Sequence, residues 1–99
     1  MDCARVIELL RDNRDHLRAE YGVSKIGLFG SMVRGEADES SDVDIVVEFE
    51  RPVGLQFVEL VDYLEDLLGR DVDLLTPAGI QAIRSPRVAE SIRQGVVYV

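Results

Sequence analysis

Two short apolar runs, and the way they are interrupted, constrain this chain more than anything else in it. The first, Ile26 to Phe29, consists of strand formers and stops at Gly30-Ser31, a pair suited to a tight turn. Ten residues then separate Ser31 from Asp42, where Asp42-Val43-Asp44 opens a second run that continues to about Phe49. Side chains alternate along a strand, so Val43, Ile45, Val47 and Phe49 share one face while Asp42, Asp44, Val46 and Glu48 share the other. Such a strand buries one face in a core and suits a sheet whose other face is open to a site.

The covering helices are legible from their spacing. Residues 2–20 read as one amphipathic helix, with Asp2 as a candidate cap, Cys3, Val6, Ile7, Leu10 and Leu17 on one side, and Gly22 as the stop. The clearest helix is Gln56 to Leu68, where Phe57, Leu60, Val61, Leu64, Leu67 and Leu68 form one stripe ahead of Gly69. A third strand is expected from Arg70 through Thr76, with Asp71, Asp73 and Leu75 on one face and Val72 and Leu74 on the other. Thr76-Pro77 and Ser85-Pro86 each read as a cap followed by a first-turn proline, and Gly95 as a stop. Residues 96–99 are β-prone, a last strand or a packed tail. This order predicts an α/β (α+β) domain, a mixed sheet flanked by helices. With 99 residues and 46% hydrophobic content, a single domain spanning 1–99 with one core is expected.

Composition narrows the chemistry. No apolar run approaches the ~20 residues that cross a bilayer, and the N-terminus lacks the basic-then-apolar layout of a signal peptide, so cytoplasmic residence and no membrane association are expected. The single Cys3 cannot form an internal disulfide and reads as helix packing; His16, among charged residues, reads as solvated. A net charge of -8 disfavours direct nucleic-acid binding and suits a basic protein partner.

The residues around the Gly-Ser break carry a more specific signal. Asp42 and Asp44 project side by side, an arrangement of like charges that becomes favourable around a divalent cation. The Gly30 backbone, open to close approach, and the Ser31 hydroxyl make a cradle for phosphate oxygens. Arg34, one turn beyond Ser31, can face the same phosphate chain. Taken singly, each has a plain reading: a turn, an exposed helix arginine, the solvent face of a strand. Glu36 reads as a loop carboxylate before it reads as a helper. Their common register is what points to a site.

That register, in GSMVRGEADESSDVDIVV, resembles the Gly-Ser, ten residues, Asp-x-Asp signature of the polymerase-β-like nucleotidyltransferases, and specifically their minimal, single-domain (MNT) branch. The resemblance implies the polymerase-β-like fold, with Gly30, Ser31 and Arg34 holding a nucleotide triphosphate and Asp42 and Asp44 binding magnesium. It implies a third carboxylate from a neighbouring strand, where Val72-Asp73-Leu74 fits better than Asp71; Asp73 would complete the metal site and accept a proton from the attacking hydroxyl. Two Mg2+ ions and ATP as substrate follow from the same resemblance. So does a partner, a helical HEPN-type ribonuclease toxin silenced by transfer of AMP onto a tyrosine. Two other functions stand beside this one: an antitoxin that neutralises by binding alone, and a small-molecule adenylyltransferase of the aminoglycoside type. The complete set of Gly-Ser, Arg and three Asp counts against the first, and the lack of an expected acceptor-binding domain against the second. No residue visibly reads a base edge, so the sequence does not choose the nucleotide.

Overall fold

The computed structural model describes residues 3–35, 42–81 and 95–99. In chain order these form α1 (Cys3–Asp12), α2 (Arg14–Tyr21), β1 (Val23–Phe29), α3 (Ser31–Arg34), β2 (Val43–Phe49), α4 (Gln56–Leu68), β3 (Val72–Leu75), α5 (Pro77–Gln81) and β4 (Val97–Tyr98). The strands make one sheet in the order β3-β2-β1-β4. β1 runs antiparallel to both β2 and β4, while β2 and β3 are parallel, so the sheet is mixed, as expected. The parallel pair is possible because α4 supplies the crossover between them.

The two faces of the sheet are unequal. Ile26 and Leu28 of β1, Val43, Ile45 and Val47 of β2, and Leu74 of β3 enter the main core with Val6, Leu10, Leu17, Leu60, Leu64 and Leu68 of the helices. Leu60 and Leu64 are fully buried, each contributing about 1.5–3 kcal/mol through removal of apolar surface from water. Cys3 packs at the edge of this core, in the helix-packing role expected of it. On the opposite face Phe29, Val46 and Ile80 form a smaller cluster with Leu75 and Val96 against it. That face is therefore partly covered: Ile80 of α5 sits over Val46, a refinement of the fully open face expected from the alternation of β2.

The N-terminal helix departs from the single element expected over 2–20. It breaks at Asn13, whose side-chain Nδ2 donates to the Leu9 carbonyl at 2.8 Å and whose Oδ1 accepts from the Tyr63 hydroxyl at 2.8 Å. Asparagine competes with the helix for backbone partners, and the contact with Tyr63, fifty residues away, holds the break in place. His16 is exposed, as read, and its ring also lies 5.0 Å from that of Tyr63. α2 ends at Gly22, which takes the left-handed conformation at φ 71°.

β1 begins at Val23, ahead of the apolar run that opens at Ile26, and carries an irregularity between Val23 and Lys25. β3 is shorter than the expected Arg70–Thr76 run because Thr76 instead caps α5, its Oγ1 accepting from the Gly79 N–H at 3.1 Å. The chain end is the strand rather than the packed-tail alternative, β4 pairing with β1. The expected cap at Asp2, the loop carboxylate Glu36 and the helix opened by Ser85-Pro86 lie outside the described residues. Among the described residues no helix is long and apolar enough to cross a membrane.

Candidate active site

Register assembles the site. Phe29, the last residue of β1, pairs with Asp44, and Asp44 in turn pairs with Asp73 across the parallel β2–β3 ladder. The two aspartates thus stand on neighbouring strands, on the face away from the main core. The Gly30-Ser31 turn leaves β1 directly beside them.

Gly30 shows why the Gly-Ser break and the Asp-x-Asp run belong together. Its φ of 76° lies where L side chains are rarely found, and a Cβ built there would overlap the carboxylate of Asp44. The bare backbone at residue 30 is thus what lets Asp44 come against the turn. Ser31 then starts α3, the Arg34 N–H returns to the Gly30 carbonyl at 3.2 Å, and Gly35 at φ 74° releases the chain. Met32, buried in the main core, anchors this short helix and leaves Arg34 exposed.

The electrostatics tie the same residues together. Burial raises the Asp44 carboxyl above its ordinary pKa, the charges of Asp73 and Asp42 raise it further, and Arg34 pulls it back down. Asp44 therefore feels the charge of three other sequence-level candidates, Asp42, Asp73 and Arg34. Asp42 and Asp73 are exposed while Asp44 is half-buried. Asp71 has a backbone role, its carbonyl accepting from the Val43 N–H at 2.9 Å.

Among the described residues no three His, Cys, Asp or Glu groups are gathered into a ready-made metal site. The donor set nonetheless suits Mg2+, which takes hard oxygen ligands and is held by one or two carboxylates together with waters and substrate phosphates, not by an all-protein cage. The mutual repulsion at Asp44 is the kind a cation relieves.

One contact at this site has no local sequence signal. Glu65 of α4 accepts the Val72 N–H at 3.0 Å through its side chain, and its backbone carbonyl accepts the Gly69 N–H at 2.8 Å. It thereby spans the turn into the strand that carries Asp73.

A mixed sheet with a Gly-Ser turn against paired carboxylates defines a nucleotidyltransferase class of fold, and comparison with known proteins agrees. The nucleotidyltransferase domain model matches residues 10–99, and the chain belongs to that family. It is 47% identical over 92 residues to the protein adenylyltransferase MntA of Thermococcus cleftensis, covering 92% of this chain and 89% of that one. A solved structure assigned as a minimal nucleotidyltransferase superposes with a TM-score of 0.69 at 36% identity, covering 98% of this chain and 95% of the other. A toxin-antitoxin crystal structure with AMP-PNP superposes with a TM-score of 0.63 at 27% identity, covering 96% of this chain and 69% of that chain.

Proposed function

We propose that this chain is a Mg2+-dependent protein adenylyltransferase acting as an antitoxin, which transfers AMP from ATP to a tyrosine hydroxyl of a HEPN-type ribonuclease toxin. The observation that carries the proposal is the close approach of Asp44 to the bare backbone of Gly30, which sets the Gly-Ser turn against a carboxylate that feels the charges of Asp42 and Asp73. The name of the Thermococcus relative supports a protein acceptor, and the toxin-antitoxin structure with an ATP analogue supports the partner class and the nucleotide.

In this reading Gly30 and Ser31 receive the polyphosphate, and Arg34 restrains the part that departs as pyrophosphate. Asp42, Asp44 and Asp73 would hold Mg2+, which when bound supplies charge neutralisation and orients the phosphates for in-line displacement. Asp73 accepts the proton of the attacking tyrosine hydroxyl. A new bond forms between the tyrosine oxygen and the α-phosphorus, and the bond from that phosphorus to the bridging oxygen of pyrophosphate breaks. The protein contributes positioning and charge, and no covalent enzyme intermediate is needed. The net charge of -8 disfavours a nucleic-acid template and suits a basic protein acceptor.

Incubation with the cognate toxin, ATP and Mg2+ tests the proposal: the toxin should gain adenylate-sized mass increments on tyrosine. An Asp42→Asn, Asp44→Asn variant should lose both the modification and the protection. Full neutralisation by that variant with no mass change would instead establish the binding-only antitoxin.

A further inference from the structure

We propose that Glu65 is a positioning residue for Asp73, acting through the backbone of Val72; the inference rests on the site reading given above and adds a residue to it.

β3 is only four residues long and lies at the edge of the sheet. In a parallel ladder alternate residues bond to the neighbouring strand. The Val43 N–H goes to the Asp71 carbonyl, which turns the peptide groups of Asp71 and Asp73 toward β2 and leaves the Val72 N–H at the open edge. An edge N–H with no partner lets a short strand fray or accept a foreign one. Here the Glu65 carboxylate takes it at 3.0 Å in a part-buried setting, a charge-assisted bond stronger than a neutral one. Glu65 directly follows the fully buried Leu64 on α4, so the carboxylate is presented from a fixed platform. Its backbone carbonyl also closes the helix end through Gly69, so one residue holds both sides of the three-residue turn 69–71.

The consequence falls on the next residue. Asp73 faces Asp44 only in the register that pairs Val72 with Val43, and a slip of one residue would swing Asp73 to the helix-covered face. Glu65 thus does for this carboxylate what outer-sphere partners do for metal ligands, whose loss typically costs about 10–100-fold in metal affinity or activity.

Three variants of the full chain test this, Glu65→Ala, Glu65→Gln and Leu67→Ala, by amide hydrogen exchange at Val72 and by calorimetry with Mg2+ and ATP. Glu65→Ala should speed exchange at Val72 by about tenfold or more and weaken Mg2+–ATP binding about tenfold or more. Glu65→Gln keeps an acceptor oxygen and should restore both to within a few fold. Leu67→Ala, which removes a partly buried core side chain from the same helix, should lower the melting temperature yet leave both readouts unchanged. Wild-type exchange and affinity in Glu65→Ala, or a Glu65→Gln as impaired as the alanine variant, overturns the inference. Asp73→Asn, measured in parallel, separates the two claims: unchanged Mg2+–ATP binding in that variant removes Asp73 from the site and the role of Glu65 with it. Weakened binding there, with none in Glu65→Ala, removes Glu65 alone.

Discussion

β2 presents two faces built from the same seven residues under opposite demands. On one, Val43, Ile45 and Val47 are fully buried against the helices. On the other, Asp44 holds a half-buried carboxylate whose ionisation is opposed by burial and by Asp73 and Asp42. The first face is where the fold gains its stability; the second gives some of it up to keep like charges together, a trade common at functional sites. Alternate residues of one strand can therefore be separated by experiment, because damage to one face should show in unfolding and damage to the other in chemistry.

The largest effect belongs to the carboxylate face. Asp42→Asn with Asp44→Asn should lower adenylate transfer by about a thousandfold or more, the several kcal/mol that metal-assisted charge stabilisation supplies. Far-UV circular dichroism should show the fold intact, and a collapsed fold would erase the distinction between the faces. Next, Ile45→Ala, one residue from Asp44 but pointing into the core, should cost about 2–5 kcal/mol in denaturant unfolding. In the fraction that remains folded, nucleotide affinity should be unchanged. Arg34→Lys retains charge but loses the planar fork, and a transfer rate reduced about tenfold, with stability unaltered, is expected. Smallest of all, Leu55→Gln should stay within about 0.5 kcal/mol of wild type, since Leu55 is 84% exposed ahead of α4 and belongs to neither face.

The same contrast explains what could be read before any coordinates. Periodicity reports burial directly, so the β2 alternation and the α4 stripe, with Leu60, Leu64 and Leu68 at its centre, were visible in the order of residues. The break at Asn13 was not, because it depends on Tyr63, a partner fifty residues away. The cover of Val46 by Ile80 likewise comes from a helix distant in sequence. At the site, the residues at 30, 31, 34, 42 and 44 could be singled out by their spacing, and Asp73 by what the family resemblance implies. That Gly30 must be bare to admit Asp44, and that Asp73 lies opposite Asp44, are consequences of strand register, which spacing alone does not set. Glu65 was silent for the same reason: its partner is a backbone N–H, and any strand residue carries one.

The central claim is that Asp44 is kept for chemistry at the expense of the fold, and the unfolding of Asp44→Asn measured against pH without divalent ions tests it most directly. A carboxyl whose pKa is raised in the folded state weakens the fold when ionised; that weakening is fully present above the folded pKa and is relieved as pH falls through it toward the unfolded value. Asp44→Asn should therefore melt higher than wild type at neutral pH and lose that advantage on acidification. Added Mg2+–ATP should raise the wild-type melting temperature and leave the variant's nearly unmoved. A variant that melts below wild type at neutral pH without divalent ions, or that transfers adenylate at the wild-type rate, would contradict the account.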